Sequence, residues 1–207
     1  MPDQSAVTCP DLTKKQFLFL ARKLGCFSKR SLLDVSHAGD WVADATRRHG
    51  SIEGIAEQAN DSPAENVTIG SPAGSISQAA HSMHRLLVRD ISVFQSEEMT
   101  PETTIALANL LSCLKPRGRM VIPVSEVDGP EHELWKQRLS GFPGRLTSRT
   151  YKTNLFDYAS LTFVLRGIHA IPVLEFAIDR KPISRIDWHR FAREAVMARM
   201  ENSNAAA

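Results

Sequence analysis

The chain has 207 residues, a net charge of +2, 43% hydrophobic and 23% charged residues, and an isoelectric point near 8.5. That is long enough for one α/β domain with its own core and does not require a second. The weak positive charge argues against nucleic acid as a partner, and no apolar run approaches the ~20 residues of a membrane-spanning helix.

Cys9, Cys26 and Cys113 are scattered, odd in number and form no C-x-x-C. This usage fits a reducing cytoplasm better than a disulfide framework. Residues 1–11 carry Pro2 and Pro10 without a basic or apolar leader, so a loose lead-in and no signal peptide is expected. Phe17, Leu20, Ala21 and Leu24 fall at helical spacing and predict a helix over 12–24, ended by Gly25. A strand follows at 31–35. The stretch Leu32-Leu33-Asp34-Val35-Ser36-His37-Ala38-Gly39-Asp40 then turns into a helix over 40–48, stopped by Gly50. A strand, a tight turn of small residues and a helix form the arrangement that places a ligand at the carboxyl end of a first strand.

Two short strands are expected at 51–55 and 67–70, with a polar turn or stub of helix at 58–65 between them. Ser71-Pro72-Ala73-Gly74-Ser75 reads as a loop, and 75–81 as one or two helical turns. A fourth strand spans 85–88. Thr100-Pro101-Glu102 is a helix start: a capping hydroxyl, proline in the first turn and an early acid. Leu107, Leu111 and Leu114 share a face of that helix, Lys115-Pro116-Arg117-Gly118 ends it, and 119–124 is a buried-type strand. After a helix over 131–139, the pattern changes. The runs 145–152 and 161–166 predict an antiparallel hairpin on the sheet edge, 173–178 a further extended piece, and 187–200 a terminal helix with Trp188, Phe191, Ala195 and Val196 as its apolar stripe. The alternation up to residue 124 predicts a doubly wound, mostly parallel sheet.

In order and in local motifs, the segment 15–166 resembles the class I S-adenosylmethionine-dependent methyltransferases. Leu32-Leu33-Asp34-Val35 is similar to the strand before that family's glycine-rich loop. The run Leu110 to Ile122, with Lys115-Pro116-Arg117-Gly118 inside it, resembles its leader into the fifth strand, and Gly141-Phe142 its late Gly-Phe turn. The resemblance implies a Rossmann-like three-layer sandwich with a C-terminal antiparallel hairpin, divided as lead-in 1–11, methyltransferase-like domain 12–178, and C-terminal helix and tail 179–207. It implies S-adenosylmethionine as cofactor, held by Asp34, Ser36, Ala38, Gly39, Asp40, Glu57 and Ser71. It implies methyl transfer to an acceptor, small molecule or protein, that the residues do not name.

The departures bear on the same positions. The three glycines of the family's loop align with Ser36, Ala38 and Asp40. The acid that ends its second strand aligns with Ala56, with Glu57 one place later, and Ser71-Pro72 replaces an acid near the adenine. These substitutions set a second reading beside the first: a non-catalytic protein of methyltransferase fold that binds a partner or scaffolds an assembly. His37 is either a general base in the first turn or incidental to it. Arg89 and Asp90 either face a substrate after the fourth strand or form a surface pair. His81 and His84 share a helix face as metal ligands or, more simply, as a surface pair, and no nearby set completes a metal site. Glu131-His132-Glu133 reads as a polar helix start, and Arg190, Arg193 and Arg199 as the solvated face of the last helix.

Overall fold

The computed structural model describes residues 12–25, 30–49, 51–59, 65–96, 99–152 and 170–205. Among these residues seven strands form one sheet: β1 (Leu32–Ser36), β2 (Ile52–Ala56), β3 (Val67–Ile69), β4 (Met83–Val88), β5 (Leu114–Pro123), β6 (Gly144–Lys152) and β7 (Ala170–Ile178). Their order is β3-β2-β1-β4-β5-β7-β6. The first five are parallel, and β7 runs antiparallel between β5 and β6. The chain therefore has the methyltransferase-like Rossmann fold, with a switch point between β1 and β4 where the strand order reverses direction.

Among the described residues five α-helices cover the two faces: α1 (Lys14–Gly25), α2 (Val42–His49), α3 (Pro101–Cys113), α4 (Pro130–Leu139) and α5 (Arg185–Ala205). The strands alternate, so their apolar residues divide between two cores. Leu33, Val35, Leu86, Val88, Met120 and Ile122 pack with α3, α4 and α5. Leu32, Leu87, Val121 and Val173 pack with α1 and α2 on the other side. α3 is buried almost all round because α5 covers its outer face. Trp188 of α5 is fully buried in the first core, beside Phe142 and Phe191.

Three sequence expectations are corrected. Residues 75–81 form bends and turns rather than helix. The loop before them is held by Asn109, whose amide donates to the carbonyls of Pro72 (2.8 Å) and Gly74 (2.9 Å), and His81 turns with φ of 55°. Second, Lys115–Gly118 lies inside β5 rather than ahead of it. Met83 stands opposite Leu114 and Arg85 opposite Arg119, so the intervening β5 residues bulge out, with Arg117 at φ 64°. A Cβ on Gly118 would lie 2.7 Å from the Lys115 carbonyl, which the bulge cannot accommodate. Third, the extended piece expected at 173–178 is a longer strand, 170–178, and it pairs antiparallel with β6 along its whole length. The run 161–166 lies outside the described residues, as do Gly50 and residues 1–11.

Candidate functional site

The carboxyl ends of β2, β1 and β4 lie side by side, and the loops leaving them carry most of the site residues expected from the sequence. Asp34 sits within β1 and is fully buried. Arg89, directly after β4, reaches across to it with two parallel bonds: Nε donates to Oδ1 and an Nη to Oδ2, both at 2.8 Å. The same guanidinium donates to the Asp40 carbonyl at 3.2 Å and stacks over Phe17 (4.6 Å) and Trp41 (5.5 Å). Arg89 is thus a buried clamp, and the surface pair with Asp90 is corrected. Its planar fork matches a carboxylate in a way a lysine could not. Burial opposes its charge, but the Asp34 carboxylate outweighs that and pushes its pKa up. The buried Oδ1 of Asp90 has no hydrogen-bond partner among the described residues.

The first loop folds down onto the sheet. Ser36 Oγ accepts the Gly39 N–H at 3.0 Å and donates to Asp34 Oδ2 at 3.2 Å. Gly39 adopts φ of 64°, and a Cβ there would meet Val67 at 2.9 Å and Ala56 at 3.1 Å. Only glycine satisfies both the left-handed backbone and that close approach. It also explains Ala56: a longer side chain would push the loop off the end of β2. Trp41 is left-handed too, at φ 67°, a conformation that costs ~1–2 kcal/mol for a non-glycine residue. Its contacts with Phe17 (5.9 Å between ring centroids) and Arg89 offset that strain.

Glu57 ties the loops together. Its Oε2 accepts from His37 Nδ1 (3.0 Å) and from the Ser92 backbone N–H (3.1 Å), and its Oε1 from the Ser92 hydroxyl. Ser92 opens a 3-10 turn, Ser92–Phe94, after β4. β1 lies between β2 and β4, so a bond from Glu57 to Ser92 crosses over the carboxyl end of β1 with His37 in its path. The Gln58 N–H donates to the His37 carbonyl at 3.0 Å and closes the same gap through the backbone. Burial works to raise the Glu57 pKa, but the bonds from Ser92 and His37 outweigh it and hold the carboxyl below its ordinary value.

The structure thus brings Asp34, Ser36, His37, Gly39, Asp40, Glu57 and Arg89 together. Ser71 stands apart: it is exposed and its Oγ accepts the Ala73 N–H of its own turn. Ala38 lies within the loop, half-buried. Ser92 and the aromatic pair Phe17 and Trp41 were missed, because nothing in their sequence spacing marks a partner so far along the chain. The histidine pair is also corrected: His84 lies in β4, where its Nδ1 accepts the Ser31 N–H at 3.1 Å, while His81 Nδ1 lies 3.1 Å from the Leu114 carbonyl. Among the described residues, no three His, Cys, Asp or Glu side chains gather as a metal site.

S-adenosylmethionine needs a carboxylate for two ribose hydroxyls and loop amides for its own carboxylate. Glu57 offers about four lone-pair sites and already receives three donors. The Gly39 amide is taken by Ser36. In this arrangement the residues do not fit the cofactor.

No protein-family model and no curated protein sequence matches the chain. Solved structures do match in shape. The [4+2]-cyclase SpnF is 12% identical, with a TM-score of 0.50 over 87% of this chain and 89% of that one. An S-adenosylmethionine-dependent methyltransferase from Archaeoglobus fulgidus is 13% identical, with a TM-score of 0.49 over 79% and 94%. The YcgJ protein of Bacillus subtilis is 11% identical, with a TM-score of 0.48 over 80% and 99%. At such identities the likeness is one of fold.

Proposed function

We propose that this chain is a non-catalytic, cytoplasmic protein of methyltransferase fold, with residues 12–178 as its body and α5 as an appended helix, acting by binding rather than by methyl transfer. The observation that carries this reading is the Glu57 bridge to Ser92 and His37, which spends the acid of the expected ribose site on the protein itself. The Asp34–Arg89 pair and the Ser36–Gly39 bond support it, because each satisfies a group that a ligand would otherwise use. A buried polar group already paired within the protein gains little from a ligand, since the exchange replaces one bond with another.

A second reading keeps the crevice as an S-adenosylmethionine site that opens when the Glu57 side chain swings away. Asp90 favours it: a buried carboxylate oxygen without a partner among the described residues, directly after β4, is poised for a ligand donor.

The double variant H37A/S92A separates the two. It removes the side-chain donors on Glu57 while leaving the carboxylate in place. If the bridge is what excludes the cofactor, S-adenosylhomocysteine leaves the melting temperature of the unmodified chain unchanged and raises that of the variant. Equal stabilisation of both would sink the proposal, because a ligand that binds the native state stabilises it in proportion to the logarithm of its concentration over Kd.

A further inference from the structure

The sheet face away from the crevice carries an imbalance of charge among the described residues. Strand register places Leu32, Arg85, Arg119, Ala177 and Arg145 in one row across β1, β4, β5, β7 and β6. In-register residues of neighbouring strands point to the same face, about 4.8 Å apart. Leu32 belongs to the core under α1 and α2, so Arg85, Arg119 and Arg145 share that face. The next rows place Glu175 beside Val121 and Thr147, and Arg149 beside Val173.

Glu175 is the single acid of this cluster among the described residues. It is buried and heavily used: Arg119 donates to it at 2.6 Å, Tyr151 donates its hydroxyl at 2.5 Å, and Arg149 stands at 3.8 Å. Among the described residues, no carboxylate forms an ion pair with Arg85. One of its Nη atoms donates to the His84 carbonyl at 2.8 Å, and it is half-buried. Burial and the charges of Arg30 and Arg119 both disfavour its cationic form and lower its pKa. Lys115 adds a further cation beside His84, at 3.5 Å. Like charges opposite one another on adjacent strands destabilise a sheet. A fold that keeps Arg85 against Arg119, with Arg30 one residue before the Ser31 carbonyl that accepts the Arg85 N–H at 3.1 Å, concentrates positive charge that Glu175 offsets only in part among the described residues.

We propose that Arg85, Arg119 and Arg30 form a binding site for a phosphate group, with Glu175 and Tyr151 positioning Arg119. Guanidinium forks match the oxygens of a phosphate, and a half-dry sheet face strengthens each charge-assisted bond. Carrying a ligand here would give the non-catalytic fold a surface for its partner, but the site does not depend on the state of the crevice. β1 separates the two by about 13 Å along the strand.

The test is a melting series on the full chain with pyrophosphate against sodium chloride at matched ionic strength. Pyrophosphate raises the melting temperature and chloride does not. Arg85→Gln weakens pyrophosphate binding about tenfold or more and raises the melting temperature of the ligand-free protein, because it removes an uncompensated cation. Arg30→Gln, on an exposed residue, weakens binding without a folding defect and serves as the readout should R85Q fail to fold. A short single-stranded RNA with a 5′-hydroxyl distinguishes the source of the phosphate. Tighter binding of RNA than pyrophosphate assigns a phosphodiester chain running toward Arg145; tighter binding of pyrophosphate assigns a small phosphorylated ligand. Either supports the site. No response beyond chloride to either probe, or unaltered pyrophosphate affinity in R85Q or R30Q, overturns it.

Discussion

Arg89 and Asp34 are both removed from water, so neither tolerates loss of the other. Arg89→Ala leaves a buried carboxylate without its cation and is expected to cost about 3–5 kcal/mol in urea unfolding, whereas Arg89→Met with Asp34→Leu should cost much less. A small cost for R89A would mean that Asp34 is hydrated. Glu57 gives a pH-dependent counterpart. Its pKa is depressed below the ordinary 4.5 in the folded chain. A carboxyl with a depressed folded pKa contributes stability above its unfolded value, and that contribution is lost as pH falls through the folded value. The urea midpoint should therefore fall on acidification below about pH 4.5 more steeply in the unmodified protein than in E57Q. Identical slopes would show that the bridge to Ser92 and His37 is not formed in solution. From the sequence, Asp34, Gly39 and Glu57 could be named as site residues because they sit in or beside a recognisable strand and turn. Their partners could not, because a hydrogen bond between Glu57 and Ser92 depends on two loops from different strands meeting in space.

At the level of elements, the most legible feature was the start of α3. Thr100 accepts the Thr103 N–H at 3.1 Å with Pro101 in the first turn, as the Thr-Pro-Glu run predicts. Thr100→Ala should cost about 1 kcal/mol, read as a lower thermal midpoint with unchanged circular dichroism of the folded state. No measurable change would mean that burial of α3 alone fixes its first turn. Helices α1, α2, α4 and α5 follow their apolar periodicity to within a few residues at each end, except that α5 continues to Ala205. The bulge at Lys115–Gly118 and the bends at 75–81 were illegible for a common reason. Both are set by tertiary partners, the Met83-to-Arg85 register shift in one case and the Asn109 amide in the other. The pairing of β7 with both β5 and β6 was not anticipated, because local composition marks an extended run but not its neighbours in the sheet.

For the whole molecule, the alternation of strands and helices up to residue 124 was enough to predict a doubly wound, mostly parallel sheet, so fold class was readable without any glycine-rich motif, whereas the strand order was not. Function was not readable in the same way. The crevice at the switch point has the right position, yet Asp34 is paired with Arg89 and Glu57 with His37 and Ser92, and fold alone leaves chemistry open. Cys113 illustrates how much of the interior is inert. It is buried at the last position of α3, burial pushes its thiol pKa up, and it should resist alkylation in the native chain while reacting after unfolding; rapid native labelling of Cys113 would contradict the packing of α3. The central claim is that the Glu57 bridge closes the crevice. Calorimetric titration of the unmodified full chain with S-adenosylhomocysteine tests it directly. With the crevice closed by the bridge, no heat of binding is expected at millimolar ligand. A saturable isotherm with sub-millimolar Kd and a stoichiometry of one would contradict it.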